Sequence, residues 1–251
     1  MHLSRRIAGG AVGLMTGAGP VPPPSDAALI RMLSGRLVSI QVGKPRFLDL
    51  DVGLPEPLDH RWHSAFFKEP VAGPVMVRFT NVEGDLQADP RVHGGPEMAV
   101  LCYSADHYAG WRQELSIAEM GPGGFAENFT ISGQDELSVC IGDVYRVGAA
   151  TVQISQPRGP CYKISYRWKR PDLLERCESN GRHGWYLRVL EEGQVEAGQP
   201  VELLERPNPA WTVRRAMDVY RTRRRQVSEA AELAHLVGYA ARPSERILAG
   251  R

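Results

Sequence analysis

Between Arg36 and about Glu205 the chain is a succession of short apolar or alternating runs broken by Gly, Pro and Asp, and this punctuation limits what it can fold into. Gly35 to Val42, Val75-Met76-Val77-Arg78-Phe79, Met98 to Tyr103, Val144-Tyr145-Arg146-Val147 and Ala150-Thr151-Val152-Gln153-Ile154 are too short for ordinary helices. They are rich in β-branched and aromatic residues, so each predicts a strand. The 26 Gly and 19 Pro supply turns at the matching spacing. The fold class expected is mainly β: a closed or nearly closed barrel with peripheral helices. One such helix is predicted behind Ser104 as cap, with Tyr108, Trp111 and Leu115 on one face, and another from Pro171 to Glu178, begun by Asp172 and stopped before Gly181.

After Pro207-Asn208-Pro209 the period changes. Val213, Ala216, Met217 and Tyr220 form a helical stripe behind a Thr212 cap, a second helix begins at Ser228 and stops at Gly238, and a third starts near Ser244. The expected organisation is a barrel domain over 32–206 and a small three-helix domain over 207–251, packed on the barrel because it is too small to be stable alone. Residues 1–31 read as a disordered tail. Arg5-Arg6 and the apolar run to Met15 imitate a signal peptide, but glycines dilute the run and it passes into Pro20-Val21-Pro22-Pro23-Pro24. Met32 is therefore the expected start of translation.

Thirty Lys and Arg against 29 Asp and Glu leave a net charge of +1, so any anion site must be local and neither nucleic acid nor an anionic membrane is an expected partner. The arginines from Arg214 to Arg225 read as a solvated face or a docking surface for an acidic partner. No run of about 18 apolar residues is present to cross a membrane. The four cysteines, Cys102, Cys140, Cys161 and Cys177, show no Cys-x-x-Cys spacing, which argues against a structural zinc site. Cys102 and Cys140 lie in apolar strand-like stretches and are expected in the core. Without need of disulfides at this length, a reducing cytoplasm is the expected location.

Three segments carry chemistry. In Ile154-Ser155-Gln156-Pro157-Arg158-Gly159-Pro160-Cys161-Tyr162-Lys163 two prolines stiffen a loop that presents Cys161, and Arg158 and Lys163 favour its thiolate as nucleophile or soft-metal ligand. A buried structural cysteine beside solvated charges fits the same residues. Gly84 to Pro96 sets Arg91 and His93 beside Gly94-Gly95, where backbone amides and cations can hold an oxoanion, or where His93 merely caps a turn. Gly121-Pro122-Gly123-Gly124-Phe125-Ala126-Glu127-Asn128 is no phosphate loop, since no Gly-Lys-Ser/Thr follows. Glu127 and Asn128 either orient a ligand or tie down the turn.

In this order and at these spacings, Gly84-Asp85-x-Gln87-Ala88-Asp89 with Val92-His93-Gly94-Gly95-Pro96, then Gly124 to Asn128, Cys140-Ile141-Gly142-Asp143 and Ser155-Gln156-Pro157-Arg158-x-Pro160-Cys161-Tyr162-Lys163 resemble the MOSC-domain proteins, in particular the YiiM-like subgroup with three terminal helices. The resemblance runs from about Gly35 to Arg251 and departs at Ala126, where the family usually has Gly. It implies a β-barrel that binds the molybdenum cofactor (molybdopterin), with Cys161 as the catalytic residue and protein ligand to molybdenum. It makes Arg91, His93, Asn128, Gln156, Arg158 and Lys163 the residues expected to hold the pterin and its phosphate. The activity implied is reduction of N-hydroxylated compounds such as hydroxylaminopurines, with electrons from a separate reductase such as a flavoprotein, and no haem, flavin or zinc of its own. The other reading it leaves is a non-catalytic carrier of cofactor or sulfur, the latter through a Cys161 persulfide.

Overall fold

This computed structural model describes residues 34–49 and 61–250; the tail over 1–31 and the start at Met32 lie outside the described residues. The elements run β1 (Gly35–Val42), β2 (Arg46–Asp49), β3 (Arg61–Ser64), β4 (Glu69–Pro70), β5 (Val75–Val77), β6 (Val100–Ser104), α1 (His107–Leu115), β7 (Phe129–Ser132), β8 (Val144–Val147) and β9 (Ala150–Pro157). They continue with α2 (Lys163–Trp168), α3 (Leu173–Asn180), β10 (Trp185–Glu191), β11 (Gly193–Val195), β12 (Pro200–Glu205), α4 (Val213–Thr222), α5 (Val227–Ala234) and α6 (Ala241–Leu248).

The main sheet runs β12-β8-β9-β10-β6-β7-β1-β4, and a further pairing between β12 and β1 closes it into a barrel, so these strands have no free edge except at β4. Every neighbouring pair is antiparallel save β6 and β7, which are parallel and joined across α1, as a parallel pair requires. Alternation sets which side chains point inward. Val100 and Cys102 of β6, Ala150, Val152 and Ile154 of β9, and Trp185, Leu187 and Val189 of β10 meet in one buried apolar cluster. The outward Tyr103 packs instead with Tyr108, Trp111 and Leu115 of α1, Phe125, and Ile164 and Leu173 of α2 and α3, in a second cluster.

The terminal helices share the barrel's own core: Trp211, Val213, Ala216, Val219, Ala230, Leu233 and Tyr239 belong to the first cluster. Thr212 caps α4 as its sequence predicts, its hydroxyl accepting from the Arg215 amide at 3.1 Å. Arg214, Arg215 and Arg221 pair with Asp218, Glu229 and Glu178. Other details differ from expectation. Ser104 is the last residue of β6 and accepts from the Asp106 amide rather than capping α1, while Asp172 spends its carboxylate on Arg170 and Arg176. The run predicted from Val75 to Phe79 ends as a strand at Val77, and Met98 closes a short 3-10 turn, Pro96–Met98, before β6 begins. Helix α5 ends at Ala234 rather than at Gly238, and α6 begins before Pro243, which its first turn tolerates because no intrahelical bond is needed there. Among the described residues no helix is long and apolar enough to cross a membrane.

Candidate functional site

Strand β9 ends at Pro157, and the Arg158 amide then donates to the Gly184 carbonyl at 3.0 Å, pinning the start of the loop beside β10. Four residues later the Cys161 and Tyr162 carbonyls accept the first bonds of α2, from Ile164 at 3.2 Å and Ser165 at 2.9 Å. Cys161 is thus held between a strand end and a helix start. It is half-buried and carries a free thiol. The sequence did not show α2, because Lys163–Trp168 is too short for a periodic stripe.

The thiol borders a cleft of about 110 Å³ that Cys161 lines with His93, Asn128, Arg158 and Lys163. Its floor is the outer face of β6 and β10, where Leu101 and Tyr186 are register partners that both line the cleft. Arg158 is only 4% exposed, and the one bond its guanidinium makes among the described residues is a 3.4 Å contact to the His183 carbonyl, with no carboxylate partner. A buried guanidinium with donors to spare at a cavity wall is the arrangement that accepts an anion. Burial first, then the charges of Lys163 and Arg158, push the His93 pKa below its usual value, so the imidazole is neutral near pH 7.

Lys68 joins these cations. Its ammonium lies 2.5 Å from Asp85 and both side chains are buried, at 8% and 2% exposure. Burial lowers the Lys68 pKa, and Asp85 and then Glu127 pull it part of the way back. Asp85 also accepts from the Gly43 amide at 2.7 Å, so the one carboxylate that lines the cleft among the described residues is already engaged and their charge there is left positive. A near-neutral chain therefore concentrates cations at one place.

The remaining residues expected at the site divide. Gly94 needs to be glycine: its φ is 79°, and a Cβ there would stand 2.7 Å from the Gln87 Oε1 beneath it. Arg91 is highly exposed, bound to Asp89 at 2.9 Å, and lines an adjoining chamber together with Gln156 rather than the Cys161 cleft. Asn128 reaches the cleft, but its amide stitches two strands, accepting from the Leu101 amide at 3.1 Å and donating to the Gln41 carbonyl at 3.1 Å. Glu127 is fully buried and accepts from Tyr108, Gly123, Phe125 and Thr130, which ties down the turn before β7. Lys68, Ser64 and Tyr186 line the cleft without having been singled out. Lys68 stands in Phe66-Phe67-Lys68-Glu69-Pro70, where no motif marks it, and only the fold brings it to Asp85.

The sequence profile of the MOSC domain matches residues 89–202, the segment that carries His93, Arg158, Cys161 and Lys163. The chain is 40% identical over 170 residues to YflK of Bacillus subtilis, covering 68% of this chain and 73% of that protein. The chain belongs to the MOSC domain family. It is also similar to the crystal structure of YiiM from Geobacillus stearothermophilus, with a TM-score of 0.71 at 30% identity over 86% of this chain and 98% of that one, so this MOSC protein has the YiiM-like architecture. A Gibberella moniliformis protein named a reductase is 39% identical over 176 residues, which cover 69% of this chain but 31% of the fungal protein. The usual family glycine is Ala126 here, and the backbone keeps the left-handed conformation such a glycine would adopt, with φ 63°.

Proposed function

We propose that this MOSC protein is a molybdenum-cofactor-dependent oxidoreductase that reduces N-hydroxylated compounds, hydroxylaminopurines among them, using electrons from a separate reductase. The observation that carries this reading is a half-buried free thiol in the same cleft as a buried guanidinium that has no carboxylate partner among the described residues, in a lining whose described charge is positive. A thiolate is a soft donor suited to molybdenum, and the cations suit the anionic dithiolene and phosphate of the pterin. The donor set therefore fits the group. MOSC domains are associated with molybdenum-cofactor binding, and the fungal relative's name supports a redox role.

Bound there, the cofactor would supply two-electron reduction, with overall balance R–NHOH + 2 e⁻ + 2 H⁺ → R–NH₂ + H₂O. The chain's own contribution is positional. Cys161 Sγ would hold the metal, and Arg158 and Lys163 would neutralise the cofactor's anionic groups from one wall. Neutral His93 can donate or accept a hydrogen bond at the mouth, and Lys68 Nζ, kept beside Asp85, holds a proton on the facing wall. The Phe66, Leu101 and Met98 side chains give the cleft an apolar lining that limits water. A half-buried free thiol suits a reducing cytoplasm.

The test is to produce the full chain in a host that makes the molybdenum cofactor, measure bound molybdenum, and then assay loss of 6-hydroxylaminopurine with a reducing flavoprotein. Near-stoichiometric molybdenum and turnover are expected. Absence of molybdenum would remove the reading; molybdenum without turnover of any N-hydroxylated compound would make the chain a carrier.

A further inference from the structure

Beyond His93 a second chamber of about 600 Å³ opens, walled by loop 90–98 on one side and on the other by Met217, Tyr220, Arg221, Tyr239, Arg242 and Arg246 of the terminal helices and the turn before α6. His93, Gly94, Met98, Gly159 and Tyr186 line both cavities, so the chamber adjoins the cleft of Cys161, while Cys161 itself lines only the first. The terminal helices thus do more than cover the barrel. They complete a cavity that opens beside the candidate metal ligand.

The chemistry of this wall is specific. Of its arginines, Arg91 is bound to Asp89 and Arg221 to Glu178. Arg242 and Arg246 have no carboxylate partner among the described residues, and at i and i+4 of α6 they share one face. Arg242 Nη1 donates to the Arg91 carbonyl at 3.0 Å, which holds α6 against the loop and leaves other guanidinium donors for an anion. Tyr186, Tyr220 and Tyr239 add aromatic surface. His183, 1% exposed, also lines the chamber; its Nδ1 is 3.0 Å from the Gly184 carbonyl and its Nε2 has no partner among the described residues. With Nδ1 donating to that carbonyl, Nε2 is a buried acceptor that lacks a donor.

We propose that this chamber binds a purine nucleoside monophosphate, with its phosphate on Arg242 and Arg246, its ring among the tyrosines, and its exocyclic nitrogen toward the wall shared with the Cys161 cleft. The inference rests on the reductase reading for the reacting group, which would be the N-hydroxylated exocyclic nitrogen of such a nucleotide. Paired arginines suit a phosphate dianion, aromatic faces suit a purine, and an unpartnered acceptor suits a ring or exocyclic N–H. The same phosphate chemistry could come from the cofactor's own terminal phosphate, and the test separates the two.

The experiment is calorimetric titration of the cofactor-loaded full chain with adenosine 5′-monophosphate and with adenosine, in wild type and in Arg242→Ala/Arg246→Ala, alongside molybdenum content and thermal midpoint. Both arginines are exposed, so the variant should fold. Expected are a rise of at least about tenfold in the Kd for the monophosphate, a change under about threefold for adenosine, and unchanged molybdenum. No monophosphate binding by wild type, or equal binding by both proteins, would overturn the proposal. Loss of molybdenum from the variant would overturn it too, by giving the arginines to the cofactor. Arginine-dependent monophosphate binding without reduction of any N-hydroxylated purine would remove the reductase reading and leave the nucleotide chamber standing.

Discussion

Asp85→Asn should be costly because the buried carboxylate answers three donors. Its oxygens accept from Lys68 Nζ at 2.5 Å, the Gly43 amide at 2.7 Å and Gln87 Nε2 at 3.3 Å. Asparagine has nearly the same shape and can keep the Gly43 bond, but it leaves the Lys68 ammonium buried without a counter-ion and sets one amide nitrogen among donors. Removing one partner of a buried pair typically costs about 3–5 kcal/mol, against about 0–1 kcal/mol for an exposed pair. Lys68 can limit the loss by giving up its proton, so about 3 kcal/mol is expected at pH 7. At about 2–4 °C per kcal/mol for a chain of this size, the thermal midpoint should fall by about 6–12 °C. The pH dependence follows from the sign of the lysine shift. Burial holds the folded pKa of Lys68 below its ordinary value of 10.5, so between the two values the unfolded chain binds more protons and stability rises with pH. Losing Asp85 lowers the folded pKa further and widens that window, so the variant should regain stability relative to wild type between pH 7 and pH 9.5. Lys68→Met/Asp85→Asn, which leaves no buried charge, should recover at least about half of the loss. Scanning calorimetry at both pH values measures all three proteins. A drop under about 2 °C, or a double variant no more stable than Asp85→Asn, would refute the reasoning.

Two further outcomes concern stability. His93 and His183 are both held below the ordinary histidine pKa, in each case chiefly by burial, with Arg158 charge adding to it, while Asp89 opposes the shift at His93 and Glu136 opposes it at His183. The unfolded chain therefore binds more protons below about pH 6.5, and stability should fall on acidification by up to about 1.4 kcal/mol per pH unit for each. His183→Gln should flatten that acid limb, and an unchanged slope would contradict the assignment. Ala126→Gly should stabilise by about 0.5–1 kcal/mol, because a left-handed alanine costs about 1–2 kcal/mol and glycine returns about 0.5–1 kcal/mol of that as chain entropy. A loss of stability in urea unfolding would mean that the Ala126 methyl packs usefully against the cleft.

The barrel was legible because strand period and turn chemistry are local: β8 and β9 fall where their alternation puts them, and Thr212 caps α4 as its spacing requires. The closure of β12 on β1 is a contact between distant segments, and composition suggests it only through the shortness and number of the runs. At the site, Cys161, Arg158, Lys163 and His93 announce themselves through prolines, glycines and neighbouring cations, and they do share one cleft. Arg91 and Gln156 sit in the same sequence motifs but face the neighbouring chamber, since residues one or two positions apart on a turn or strand point in different directions. Lys68 was invisible for a different reason. A lone lysine carries no periodic signal, and its significance comes from an ion pair with a residue 17 positions away. The role of Glu127 was hidden too, since only the folded turn shows its carboxylate surrounded by donors from its own neighbours.

The central claim is that Cys161 ligates molybdenum. X-ray absorption at the molybdenum edge tests it most directly, on cofactor-loaded wild type and on Cys161→Ser and Cys177→Ser, since Cys177 is a buried cysteine whose thiol burial pushes up to about 12. The account predicts one fewer sulfur around molybdenum in Cys161→Ser than in wild type, an unchanged spectrum in Cys177→Ser, and similar folding in all three. An unchanged sulfur count in Cys161→Ser, or the loss appearing only in Cys177→Ser, would contradict it.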